Sequence, residues 1–168
     1  MNYELTDETI EHGGRTLYHI RALVDIPYHD VKAGDFGGFI ERVESLQGNA
    51  WVSGNARVYG NAQVFGNAQV SGNAQVSGNA RVFGNAEVSG NARVFGNTWV
   101  SSNAEVSSNA EVYGNAQVFG NAMVFGNAMV FGNAMVFDDA KVFDDAQVYG
   151  KALVCGTDEV SSDAKVSK

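Results

Sequence analysis

The sequence predicts an all-β fold: a three-sided parallel β-helix of about seven coils, carrying a small β cap at its N-terminal end. Three observations carry this. Residues 46–168 repeat one six-residue unit about twenty times without an insertion: Val, then Ser, Phe or Tyr, then Gly-Asn-Ala, then a variable residue. The lead position holds Leu46 and then valine at every sixth residue from Val52 to Val166. A glycine also returns at the same period through most of the run. A helix accounts for none of this, because a six-residue period drifts against about 3.6 residues per turn and each interior glycine costs about 1 kcal/mol relative to alanine.

Residues 1–45 read as a separate β cap. Thr9-Ile10-Glu11-His12 and Arg15-Thr16-Leu17-Tyr18 flank Gly13-Gly14. A Gly-Gly pair between two strand-like runs predicts a hairpin, since both central residues of the tight turn need positive φ. The second arm alternates, with Tyr18, Ile20, Ala22 and Val24 on one side and His19, Arg21 and Leu23 on the other. Pro27 is expected to end it, having no N–H for a ladder. The glycines of Val31–Ile40 predict tight turns. Ile40 stands six residues before Leu46, so the repeat phase reaches back to it. A cap is needed here because a solenoid end exposes apolar core and unpaired strand edges.

Residues 46–168 form the coils. Each unit supplies one short strand and one corner, and three units close a coil of about 18 residues, so residue i stacks on i+18 at about 4.8 Å. The run makes just under seven coils, a rod of roughly 30–35 Å. Valine fills the flat of each side and alanine the narrow space beside the corner. A coil therefore buries about three of each, a thin core that depends on stacking between neighbours. Corner glycine permits positive φ. Asparagine follows it in successive units from Asn49 to Asn133, tolerates the left-handed region, and can ladder from coil to coil.

The unit Val-Phe-Gly-Asn-Ala-Gln at residues 64–69 resembles the aliphatic-x-x-x-small-x unit of the hexapeptide-repeat acyltransferase superfamily. The resemblance covers residues 46–168 and implies a left-handed winding, which the period alone does not give. The segment Lys-Ala-Gly-Asp-Phe-Gly-Gly-Phe-Ile-Glu from Lys32 to Glu41, followed by Gly-Asn-Ala repeats, is more closely similar to short proteins of bacteria and their phages. That likeness implies a phage or prophage context.

The residue after each valine should face solvent, and sorting by coil face separates three columns. Phe65, Phe83, Ser101, Phe119, Phe137 and Cys155 form one, and Tyr59, Ser77, Phe95, Tyr113, Phe131 and Tyr149 a second. The third is Ser53, Ser71, Ser89 and Ser107, then Phe125, Phe143 and Ser161. Stacked aromatics stabilise a sheet through same-face contacts. Two apolar faces on so short a rod nevertheless exceed what monomers expose. A homo-oligomer is expected, with a self-association surface made of Phe119, Met123, Phe125, Met129, Phe131, Met135, Phe137 and Phe143. A trimer is expected, because packing about a three-fold axis uses two faces of each prism and leaves one wet.

Net charge is −8 over 168 residues, which argues against nucleic acid and anionic membrane as partners. Residues 1–45 hold nine acids and four bases, and residues 46–168 hold ten and seven. The acidic surplus therefore lies in the cap. One cysteine, Cys155, excludes an intramolecular disulfide. Met1-Asn2-Tyr3-Glu4 opens without a basic patch or apolar run, and no stretch approaches the roughly 20 apolar residues of a membrane span, so a cytoplasmic location is expected.

No catalytic residue, metal site or cofactor is predicted. Enzymes of the superfamily that the repeat resembles use a histidine base and a loop that interrupts the coils, or zinc held by coil histidines. Here His12, His19 and His29 all lie in the cap, and nothing interrupts the repeat. The pairs Asp138-Asp139 and Asp144-Asp145 suggest calcium, but successive units stand at different corners, so solvated turns are expected. Only Thr98 and Thr157 occur in the repeat, too few for a threonine array that binds ice. The expected function is non-enzymatic: a rigid prism that binds its own copies or another protein. Two other classes stay open: an acyltransferase whose site lies between subunits, and an acidic decoy.

Overall fold

The computed structural model describes residues 1–168 as a parallel β-solenoid of about seven turns, with neighbouring turns 18 residues apart. It has no α-helix; two short 3-10 turns, Pro27–His29 and Val43–Ser45, lie in the N-terminal region. Each six-residue unit gives a two-residue strand, such as Trp51–Val52, Arg57–Val58 and Gln63–Val64, with a turn between. Stacking every third unit builds three sheets of 10, 7 and 6 strands. Val64 lies on Val82, Val82 on Val100, and Val52 on Val70, all parallel and all 18 residues apart.

The three sides are named here by what they carry. The hairpin face runs from Arg57–Val58 to Lys165–Ser167 and continues into the N-terminal strands. The serine face runs from Trp51–Val52 to Glu159–Val160, and the tryptophan face from Gln63–Val64 to Leu153–Val154. The core follows from the repeat: the inward valines from Val52 to Val148 and nearly every inward alanine are fully buried. Thr98 replaces one of those alanines and stays fully buried, its hydroxyl without a partner.

Strand β1, Tyr3–His12, pairs antiparallel with β2, Arg15–Ala22, and both Gly13 and Gly14 have positive φ as the hairpin requires. β2 then pairs antiparallel with β3, Phe36–Ile40, which pairs parallel with Arg57–Val58, the first coil strand of the hairpin face, Ile40 opposite Val58. The hairpin thus occupies the N-terminal edge of a sheet that would otherwise be open. Two details differ from the sequence expectation. β2 ends at Ala22, five residues before Pro27, which instead begins a 3-10 turn. Irregular register in both pairings breaks the alternation, so Leu17 is buried as well as Ile20 and Ala22; Val24, beyond the end of β2, is exposed.

The leader glycines also do a different job. Gly34 turns the chain at positive φ, but Gly37 and Gly38 lie within β3. A Cβ on Gly37 would stand 2.5 Å from Ile20 Cγ1 and from the Val52 carbonyl oxygen, and one on Gly38 would stand 2.6 Å from the Ala56 oxygen. The pair lets the cap press onto the first coil with no side chain between. Trp51 occupies a position that is outward in later units, yet it is only 2% exposed and shares one apolar cluster with Tyr3, Ile26 and Val31.

Candidate interaction faces

Each corner is a column of stacked turns. The alanine N–H donates to the carbonyl three residues back, as from Ala56 to Ser53 at 3.3 Å. The glycine between them holds positive φ. The asparagine that follows does not, so the left-handed tolerance expected of it is not used. Its role lies in its side chain. Asn49 donates Nδ2–H to Oδ1 of Asn67, and the same bond recurs at all three corners with lengths of 2.9–3.2 Å. Every bond points the same way, from an N–H on the N-terminal side to an oxygen on the coil that follows.

The ends of the ladders fix that direction. Two ladders finish on carboxylates: Asn121 donates to Asp139 at 2.8 Å and Asn127 to Asp145 at 2.9 Å. A carboxylate only accepts, so the amide above must present its NH2 group. The third ladder starts from a cation, because Arg42 donates to Oδ1 of Asn61 at 3.0 Å. The neighbouring aspartates replace corner glycines at positive φ and accept from the next coil, Asp138 from the Gly156 N–H at 3.1 Å and Asp144 from the Ser162 N–H at 3.2 Å. Asp139 and Asp145 therefore end amide ladders, while Asp138 and Asp144 tie their corners to the turn of the next coil. No group of three or more His, Cys, Asp or Glu side chains is placed to share a metal ion.

The aromatic columns stack ring on ring. Phe95, Tyr113, Phe131 and Tyr149 form a run on the hairpin face, with centroids 4.9–5.1 Å apart and planes within 7°. Phe65–Phe83 and Phe119–Phe137 do so on the tryptophan face, and Phe125–Phe143 on the serine face. These rings are half-buried, because each covers the face of the next. The columns thus expose ring edges rather than open apolar faces. Burial, followed by the charge of Glu111, pushes the Tyr113 hydroxyl above its ordinary value.

The eight residues predicted for self-association do not share one face. Met123, Phe125 and Phe143 lie on the serine face, Met129 and Phe131 on the hairpin face, and Phe119, Met135 and Phe137 on the tryptophan face. They form a collar around the rod, and all are half-buried. The large apolar side chains that the coils expose most are Trp99, at 45%, and Leu153, at 52%. Both lie in a single column on the tryptophan face, in the order Trp99, Gln117, Met135, Leu153. Sorting the residue before each valine by 18-residue period would have found them.

The cap side chains are tied to the first coils. Glu41 accepts from Arg15 at 2.7 Å and from the Gly60 N–H at 2.6 Å. Burial alone would raise its carboxyl, but the Gly60 N–H, the Arg15 bond and the charges of Arg15 and Arg42 outweigh this and hold it below the usual range. The Tyr3 hydroxyl donates toward the Val43 and Leu46 carbonyls, and burial, with the charge of Glu44, pushes it up to about 12.

The three histidines are taken up by packing. His12 meets Arg57 and, edge-on, Tyr59. His19 is sandwiched between Phe36 and Phe39, with Glu8 and the Gly37 carbonyl at its two nitrogens. Burial pushes the His29 imidazole down, against a smaller upward pull from the Asn49 backbone. An open groove of about 500 Å³ beside the N-terminus, lined by residues such as Asn2, Tyr3, Leu46 and Asn49, receives none of the three. No helix is long and apolar enough to cross a membrane.

Four segments, residues 50–66, 74–88, 86–102 and 116–132, match the family model described as YdcK Beta solenoid repeat. All four lie in the coils. A comparison with curated proteins found no match.

Proposed function

We infer that this β-solenoid repeat protein is a non-enzymatic structural or protein-interaction module that associates with copies of itself. The observation that carries this reading is the pairing of a rigid, uninterrupted prism with exposed apolar side chains on its flat sides, Trp99 and Leu153 foremost. Trp99 packs edge-on against Phe83 of its own chain but leaves nearly half of its surface in solvent, on a face already lined by phenylalanines. Rigidity comes from the stacked core and from three directional amide ladders, which hold the outward columns in fixed register. The reading includes a left-handed winding, a cytoplasmic location and an origin in a phage or prophage, all resting on the likeness of the Lys32–Glu41 leader and the repeat to such proteins.

An acyltransferase-type enzyme with a site between subunits is the alternative class. Its base would come from a cap histidine, and His12, His19 and His29 are each packed against neighbouring side chains or backbone. An acidic decoy is weaker still, since the coils carry only three more acids than bases. Light scattering of the purified chain at micromolar concentration tests the leading reading. A mass above the 17.9 kDa of one chain is expected; a monomer mass at every concentration overturns it. A rise in melting temperature with an acyl-CoA would support the enzyme instead.

A further inference from the structure

We propose that two copies pair through the tryptophan face about a two-fold axis parallel to the rod, seating Trp99 of each copy over Ser101 of the other. This rests on the self-association reading and names the surface and the partner. Three observations carry it.

The first is charge. A chain with net charge −8 repels its copy, so the contact must avoid like charges. The outward strand and column residues of the hairpin face include Arg57, Arg93, Glu111 and Lys165, and those of the serine face include Glu87, Glu105, Lys141 and Glu159. The two outward columns of the tryptophan face carry a single charge, Arg81, and charges near them, Asp138, Asp139 and Lys151, lie at the corners.

The second is shape. Two outward columns flank the inward valines of this face. The column before valine has exposed knobs at Trp99 and Leu153. The column after valine is phenylalanine except on those same two rungs, where it holds Ser101 and Cys155. A two-fold axis parallel to the rod exchanges the columns while keeping the rungs level. Trp99 then meets Ser101 of the second copy, and Leu153 meets Cys155. Each large exposed side chain faces the smallest residue available. The same operation sets Arg81 beside Phe83 of the second copy, so the one charged residue of the two columns meets no like charge. An axis perpendicular to the rod opposes each column to itself and loses the match.

The third is area. Six strands at about 4.8 Å give a face roughly 29 Å tall, and at about 14 Å wide it covers about 400 Å² per copy. Two such faces bury about 800 Å², below the range of standard stable interfaces, so the pair belongs to the weak, concentration-dependent class.

Sedimentation equilibrium of the full chain and three variants tests the pairing, with circular dichroism melting curves to show that each folds. The parent is expected to be a dimer. Trp99→Arg should weaken association at least ten-fold, and Ser101→Trp should do the same by filling the recess. The double variant Trp99→Ser/Ser101→Trp exchanges knob and recess and should restore the dimer. An independent arm uses Leu153→Cys: mild oxidation should link it to Cys155 of the second copy and give a band of dimer mass without reductant. Association that ignores Trp99→Arg, a trimer mass, failure of the double variant to recover, or no cross-linked band each overturns the pairing while leaving self-association standing. A parent that is monomeric throughout overturns self-association itself.

Discussion

Asn85 makes two ladder bonds, accepting from Asn67 at 3.1 Å and donating to Asn103 at 3.0 Å. Both are solvent-exposed, so Asn85→Ala should cost about 1 kcal/mol, the low end for two hydrogen bonds, measured by urea denaturation. The polarity of the ladder makes a sharper expectation at its end. Asp139→Asn keeps an acceptor under Asn121, whereas Asp139→Lys sets a donor against a donor, and only the lysine variant should lose stability clearly. Corner glycines give a third test. A Cβ on Gly90 would meet the Ser108 N and O atoms at 2.9 Å, so Gly90→Ala should destabilise. Ser102 already holds φ at 62°, and relieving it by Ser102→Gly should stabilise by about 0.5–1 kcal/mol net of the added chain entropy. At this scale the ladders were legible in the sequence, because an unbroken Asn period has little other use. Their direction was not, since it depends on Arg42 reaching Asn61 and on which aspartate of each pair lies under an amide.

The cap–coil junction is held by residues of the leader. Glu41 links β2, through Arg15, to the corner at Gly60. Its carboxyl titrates lower in the folded chain than in the unfolded one, so the stabilisation is full above the unfolded value of about 4.3 and disappears as pH falls through the folded value. Glu41→Gln should therefore lower stability by about 1 kcal/mol at neutral pH, with the deficit closing in acid; denaturation curves at the two pH values check this. Gly38→Ala should be more damaging, because the Ala56 carbonyl and Val52 leave no room for the methyl group. The hairpin about Gly13-Gly14 was readable from turn chemistry alone. The close approach at Gly37-Gly38 was not: a glycine that yields to a neighbouring backbone and one that turns the chain look alike until the neighbour is known. Trp51 gives the same lesson, since its position in the repeat is outward and only the cap covers it.

As a whole the molecule is a one-dimensional stack, and its stability should grade along the axis. The N-terminal coil is covered by the hairpin, while Val160 and Val166 near the C-terminal end are only partly buried. Hydrogen exchange should therefore be slowest in the middle coils and fastest over residues 158–168. The 18-residue rung, the inward valines and the face columns were all legible in the sequence because one period specifies them together. Which face is the most exposed was not, because aromatic side chains that look open in a list of columns cover one another once stacked. A pair of deletions tests the column account most directly, read by sedimentation equilibrium beside melting curves. Removing residues 103–120 takes out one whole coil and leaves Trp99 and Leu153 on the same face; removing residues 109–114 takes out one unit and moves Leu153 to another side. Both chains should fold, the first should associate as the parent does, and the second should not; equal association of the two would contradict the account.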